Sequence, residues 1–341
     1  MNAYFIKDTD FTQFLGKMIE AHKVVGPKAK KTRFVFDQIK KPEDLRLDYD
    51  VTILPPKKLF FPPRQELVRF HGQKASSCIH PEGTILFGVH FYDIKAIDMT
   101  DQLFRETNPD WNYLANRECS TIIGSNIQNV YKRAFFSSVG KGVEPKGHDG
   151  FITKISGGYV YDAITAKGKN LLKFGAFTDA TEAQLTEASK ANKEVLDKCP
   201  EKLNNESLEI SEKVRNQFKS PMWKEFSEKC FSCGSCNLVC PTCYCFDVQD
   251  NWNVDQQTGV RERTWDGCLL EDFSTCSLTG GHKENFRETR ASRYRHRIMR
   301  KTSYLTAKLG GPACVGCGRC AGACTADIAD PVPVINRLME V

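Results

Sequence analysis

Six cysteines crowd the sixteen residues CFSCGSCNLVCPTCYC at 230–245. The run opens as Cys230-x2-Cys233-x2-Cys236-x3-Cys240-Pro241, and the same spacing returns as Cys314-x2-Cys317-x2-Cys320-x3-Cys324. This is the bacterial ferredoxin spacing for a [4Fe-4S] cluster. Three thiolates on one tight loop grip three corners of a cube. The fourth corner faces away, so its ligand comes from the other motif. The spacing therefore assigns Cys230, Cys233, Cys236 and Cys324 to one cluster, and Cys314, Cys317, Cys320 and Cys240 to the other. Gly234, Gly316 and Gly318 let the backbone curl around sulfide and offer it N–H donors. Structural zinc, the alternative, favours paired C-x2-C knuckles over a four-cysteine run. Thr325 stands where the first motif has Pro241; that proline stiffens the turn and ligates nothing.

The chain has fifteen cysteines in 341 residues, and twelve of them lie after residue 229. A secreted disulfide scaffold is shorter and more evenly stapled. The start, MNAYFIKDTD, lacks a basic region followed by an apolar core, so no secretory signal is expected and the expected location is cytoplasmic. No apolar run approaches the ~20 residues of a membrane span. Clustered cysteines in such a chain point to metal. The net charge of +6 is mild for a chain of this size and makes no case for nucleic acid.

The length suggests two domains. In DTDFTQFLGKMIE (8–20), Phe11, Phe14, Leu15, Met18 and Ile19 share one helical face. The short apolar runs VTILPP (51–56), GTILFGVH (83–90) and STIIGSN (120–126) read as buried strands. GGYVYDAIT (157–165) alternates like a strand after a turn. Thr181 and Gln184 have capping-box spacing before a helix expected to reach about Lys198, with Pro200 ending it. Residues 1–205 thus read as an α/β docking domain. The polar segment 199–214 resembles a linker, and 206–220 is assigned to a linker or helix. Residues 221–341 form the dicluster domain.

Seventy-three residues separate Cys240 from Cys314, far more than a small ferredoxin needs. An insertion at 246–313 is expected, carrying Cys268, Cys276 and the arginine-rich run HKENFRETRASRYRHRIMRK (282–301). Arginines beside anionic clusters can neutralise charge, raise the reduction potential or dock an acidic partner. A nucleic-acid surface and a merely solvated helix face are the other readings of that run. Cys243, Cys245 and Cys268 exceed the needs of two clusters. They could hold another metal, replace an assigned ligand, or pack as small apolar thiols. Cys78, Cys119, Cys199 and Cys276 are scattered and read as free thiols. Gly316-x-Gly318-x-x-Ala321 fits a dinucleotide fingerprint, but its cysteines and the lack of a preceding strand make it a cluster loop. There is no P-loop or nucleophile elbow, so the recognisable chemistry is wiring.

CPTCYCFDVQD, TGVRERTWDGC, GGHKENFR and CVGCGRC together resemble the beta subunit of cytosolic nickel-iron hydrogenases of the sulfhydrogenase type. TILPPKKLFFPPRQEL (52–67) and ILFGVHFYDI (85–94) extend the resemblance over most of the chain. The 4Fe-4S dicluster component of anaerobic sulfite reductase is a more distant likeness. The resemblance implies an electron carrier that links a flavin and NAD(P)-binding subunit to one that reduces protons or sulfur compounds. It also places Cys243, Cys245 and Cys268 in the family pattern. The hydrogenase subunits read His-Ala-Cys-Asp where this chain has His90, Phe91, Tyr92 and Asp93. They read Cys-Phe-Cys where it has Ala134, Phe135 and Phe136. A further cluster held by those cysteines in the relatives would be absent here.

The expected fold is α+β: an N-terminal α/β domain followed by a two-[4Fe-4S], bacterial-ferredoxin-like domain with a long insertion. The expected function is one-electron relay through two [4Fe-4S] clusters, with a flavoprotein and a catalytic metalloprotein as partner subunits and no nucleic acid. A third iron–sulfur cluster is the optional cofactor. The rival reading is a self-contained reductase with a metal site at Cys243, Cys245 and Cys268.

Overall fold

The runs TILFGVH and TIIGS are apolar on both faces between their polar end residues, which suits central parallel strands covered on both sides. The computed structural model, which describes residues 3–139, 145–204 and 207–340, places them there. Its first half contributes β1 (Ala3–Lys7), β2 (Lys23–Lys30), β3 (Arg33–Gln38), β4 (Arg64–His71), β5 (Lys74–Ser77) and β6 (Thr84–His90). It continues with β7 (Thr121–Ser125), β8 (Gly150–Ile155), β9 (Gly158–Ala163) and β10 (Thr178–Asp179). Eight of these form one mixed sheet in the order β10-β1-β9-β8-β7-β6-β2-β3. The β2-β6, β6-β7 and β7-β8 pairings are parallel.

Helix α1 (Asp8–Ala21) packs Phe11, Phe14, Leu15 and Met18 on one face of this sheet, against Ile6, Phe87, Ile123 and Ile152. Helix α2 (Phe91–Arg105) covers the other face with Ile94, Ile97 and Phe104, against Leu86, Val89 and Ile122. Leu86 and Phe87 are sequence neighbours on opposite faces, as the two-residue repeat of a strand requires. Helix α3 (Glu182–Asp197) starts at the reciprocal Thr181–Gln184 capping box that the sequence signals.

A second sheet joins the two halves of the chain. Strands β11 (Phe246–Trp252) and β12 (Thr258–Trp265) of the insertion form a hairpin, and β12 pairs antiparallel with β4. The sheet order is β11-β12-β4-β5. The hairpin therefore leaves the cluster motifs and leans on the first domain. The second half is otherwise helical. Helices α4 (Ser207–Asn216), α5 (Met222–Ser227), α6 (Arg290–Thr302) and α7 (Pro331–Met339) share a core built on Ile210, Val214, Trp223, Tyr294, Ile298, Ile335 and Leu338.

Two local expectations fail. VTILPP is no strand: Thr52 makes one isolated bridge to Phe34, and a tight turn follows at Pro56–Leu59. Pro55 and Pro56 supply no N–H to a ladder. The polar segment 199–214 is more than a linker, because Ile210 and Val214 are fully buried on α4. The glutamates around them hide that four-residue spacing in the sequence. The expected boundary at 205–206 lies outside the described residues.

One ion pair fastens the second cysteine motif to the first domain. Arg319, between Cys317 and Cys320, donates to both Asp93 carboxylate oxygens at 2.7 and 2.6 Å. It also donates to the Thr52 carbonyl at 2.9 Å and to Thr52 Oγ1 at 3.0 Å. The two side chains are 1% and 0% exposed. Removing one partner of such a pair leaves a bare buried charge, at a cost of ~3–5 kcal/mol. Asp93→Ala should lower the stability by about that amount in a urea titration, whereas Asp48→Ala, which breaks a half-exposed pair with Arg46, should cost under ~1 kcal/mol.

Candidate metal centre

Each cysteine loop is shaped by residues in left-handed backbone. Ser232 and Gly234 have φ of 55° and 70° in the first loop; Gly316 and Gly318 have 65° and 73° in the second. The second pair also lies against protein. A Cβ on Gly316 would come within 2.5 Å of the Phe136 backbone, and one on Gly318 within 2.3 Å of the Arg133 carbonyl oxygen. The Phe135 N–H donates to the Gly316 carbonyl at 2.8 Å. The loop is thus seated on segment 133–136 with no room for a side chain.

The structure brings Cys230, Cys233, Cys236 and Cys324 to the wall of one small cavity of about 20 Å³. Leu269, Tyr294, Ile328 and Ala329 close it with apolar surface. Three of the four thiols come from the first motif and the fourth from the second. Cys314, Cys317 and Cys320 gather elsewhere with Cys240, whose charge acts on all three. Cys236 and Cys320, one from each set, lie close enough for the charge of one to act on the other. The short helices Ser235–Leu238 and Arg319–Ala323, which carry these two cysteines, pack together.

Burial pushes the Cys236 and Cys314 thiols up to about 12 and Cys317 higher still. Cys233 is the exception. It is exposed, and Ser235 hydrogen bonds hold it below the usual thiol range. Cys240 lies well below that range, first because Cys243 donates a hydrogen bond to it. Buried thiols of this kind lose their protons when metal replaces them, so binding and deprotonation are linked.

The residues around the thiols fit an anionic group. Lys57, Arg297 and Lys301 are buried. No ion pair among the described residues includes any of them. The acidic groups acting on them are mainly thiols: Cys243, Cys240 and Cys245 for Lys57; Cys236, Cys320 and Cys240 for Arg297; Cys240, Cys243 and Cys314 for Lys301. Burial pulls Lys57 down to about 8 despite those thiols. Burial also acts to lower Lys301, but its thiol neighbours outweigh it and hold it above the ordinary lysine value. Arg297 Nη2 donates to the Ala329 carbonyl, while Nη1 is buried without a partner. Unpaired buried cations are costly. A metal–thiolate cluster carrying net negative charge removes that cost, and the donor set is that of an iron–sulfur cluster.

The arginine-rich run acquires a direction. Arg293, Arg297 and Lys301 recur at four-residue spacing on α6 and turn inward. Arg290 Nη1 donates to the carbonyls of Glu228 and Cys230, fastening the first loop from outside. These buried cations are not a solvated face. Sequence reasoning missed Lys57, Asn237 and Arg319. Arg319 alone carried a signal, as a charge set between two ligand positions.

Among the surplus thiols, Cys268 is buried, and Cys243 and Cys245 are half-buried. Of the scattered four, Cys199 donates to the Ala134 carbonyl at 3.1 Å and Cys119 to the Asn116 carbonyl at 3.3 Å. Cys78 is half-buried and Cys276 exposed. The positions where the resemblance expects cysteines hold aromatic packing. Tyr92 stacks on Phe136 with ring centroids 5.8 Å apart, and Phe91 meets Phe136 edge-on at 5.2 Å. Ala134 is buried beside them in the same core.

Arg297 faces thiols of both sets, so with a cluster bound at each, removing its charge would destabilise the more negative, reduced form of both. Arg297→Met should lower both midpoint potentials, by an amount on the order of tens of millivolts. A redox titration followed by EPR reads the shift; Arg295→Met, whose side chain stacks on Phe218 at 4.0 Å, serves as the control.

Residues 229–328 match the family model described as 4Fe-4S dicluster domain. The chain is also 32% identical over 333 residues to sulfhydrogenase 2 subunit beta of Pyrococcus furiosus. That match covers 97% of this chain and 96% of the relative. No solved structure matches the chain. Among the described residues no helix is long and apolar enough to cross a membrane.

Proposed function

The chain belongs to the sulfhydrogenase beta-subunit family of iron–sulfur electron-transfer subunits, and from that premise we propose that it relays single electrons through two [4Fe-4S] clusters, connecting a flavin and NAD(P)-binding subunit to a catalytic hydrogenase or sulfur-reductase subunit. We assign Cys230, Cys233, Cys236 and Cys324 to one cluster and Cys314, Cys317, Cys320 and Cys240 to the other. The observation that carries this reading is the cavity at the first motif, where the fourth thiol, Cys324, arrives from the second. A crossed ligand set serves two clusters held side by side. The groups would supply reversible one-electron chemistry when bound.

The chain's own residues do the rest. Arg297 stands between the two thiol sets and favours the electron-rich form of both. Lys301 does the same for the Cys240 set, with its ammonium fixed by a 2.7 Å hydrogen bond to Thr242 Oγ1. The aliphatic and aromatic wall of Leu269, Tyr294 and Ile328 keeps water from the first set. Cys233 and Phe231 are the exposed edge of that set, Phe231 being 72% exposed. An electron can enter or leave there with the shortest path through protein. A hetero-oligomeric, cytoplasmic assembly fits these assignments.

Anaerobic titration of the isolated chain with dithionite should consume at least two electrons, one for each of these two clusters. The reduced chain should discharge to a redox dye in single-electron steps and show no steady turnover of protons or sulfur compounds. Sustained turnover by the isolated chain would instead support the self-contained reductase.

A further inference from the structure

We propose that Cys243, Cys245 and Cys268 hold a third iron–sulfur centre beside the two assigned to the paired motifs. This rests on reading the eight motif cysteines as the ligands of those two clusters.

The insertion is built to bring these thiols together. Its hairpin ends with Phe246 opposite Trp265, and the ladder runs one step further as the Asp266 N–H donates to the Cys245 carbonyl at 3.1 Å. Cys245 and Cys268 therefore sit at the mouth of the hairpin, close enough for the charge of one to act on the other. Gly267 then passes tight against the first motif. A Cβ there would lie 2.9 Å from the Cβ of Asn237. That approach places Cys268 at the Asn237 side chain.

Asn237 lies between the ligands Cys236 and Cys240 and is 2% exposed. Its Oδ1 accepts the Leu269 N–H at 3.3 Å, which fixes the orientation of the amide. Its Nδ2 then points at Cys268 Sγ, 3.4 Å away, and at Cys243 Sγ, 3.7 Å away. Both acceptors are sulfur. A buried amide gains little from neutral thiols, which accept weakly. It gains a charge-assisted bond from metal-bound thiolates. Lys57 supplies a second, independent indication. Its buried ammonium donates to the Cys243 carbonyl and lies 4.5 Å from the Trp265 ring. Among the described residues no carboxylate pairs with it, while Cys243 and Cys245 are among the groups acting on it.

The set has three sulfur donors, with the Asp266 carboxylate near enough to act on Cys245. Among the described residues no three His, Cys, Asp or Glu side chains could hold a single ion. The cofactor class that fits wider thiol spacing is a sulfide-bridged iron cluster, as at the motif cysteines. Cys243 also touches Cys240, so the third centre would adjoin the second cluster.

The test is iron and acid-labile sulfide content of the full chain, purified anaerobically and reconstituted with ferrous iron and sulfide. About twelve irons per chain are expected, falling by about four in Cys268→Ser with the EPR signals of the first two clusters retained. Cys245→Ser, at the hairpin mouth, should show the same loss and guards against misfolding of the Cys268 variant, with circular dichroism as the check on fold. About eight irons in the wild type, unchanged in both variants, would overturn the third centre and leave the two-cluster reading standing. Eight irons plus one zinc lost in either variant would also overturn it. Fewer than about eight irons in fully reconstituted wild type would count against the two-cluster reading itself.

Discussion

A single buried guanidinium organises this protein. Arg319 occupies the second cysteine motif between two proposed ligands, yet its hydrogen bonds all run to the first domain, to Asp93 and Thr52. A buried ion pair is weak evidence for stability, because desolvation offsets its attraction. Its value here is geometric. The planar fork fixes the loop in both position and rotation, and Gly316 and Gly318 lie flush on segment 133–136 beside it. The cluster loop is therefore positioned by the mixed sheet through α2, although the two are far apart in sequence.

Three further buried cations follow the same logic with a different partner. Arg297, Lys301 and Lys57 face thiols rather than carboxylates. In an apolar core this arrangement would be expensive without negative charge on sulfur. Cys236, Cys314, Cys320 and Cys324 also belong to the core that unites α4, α5, α6 and α7. Core and site are the same residues, so cluster loading and folding of the second half are coupled.

The two cysteine loops were legible in the sequence because their pattern is local: fixed offsets and glycines where the backbone turns left-handed. The parallel strands were legible for a related reason, since the interiors of β6 and β7 are apolar on both faces. What escaped was long-range. Nothing in TILPPKKLFF marks Lys57 as a buried cation beside Cys243, and nothing in NLVC marks Asn237 as a donor to two distant thiols. The arginine run was visible as charge, but only the packing of α6 against the thiols separates inward Arg293, Arg297 and Lys301 from the exposed positions. The insertion misled in another way: its β11–β12 hairpin completes a sheet with β4 of the first half, a pairing across nearly two hundred residues that no local pattern announces.

Two clusters lying side by side with exchanged fourth ligands are the centre of the proposed function. EPR of the dithionite-reduced, anaerobically prepared chain tests this most directly. Two neighbouring paramagnetic clusters should give a broadened, spin-coupled spectrum, and Cys317→Ser should remove the second cluster's contribution and its coupling to the first, whose signal is retained. A wild-type spectrum made of isolated, non-interacting signals, or a chain that binds zinc and stays silent, would contradict it.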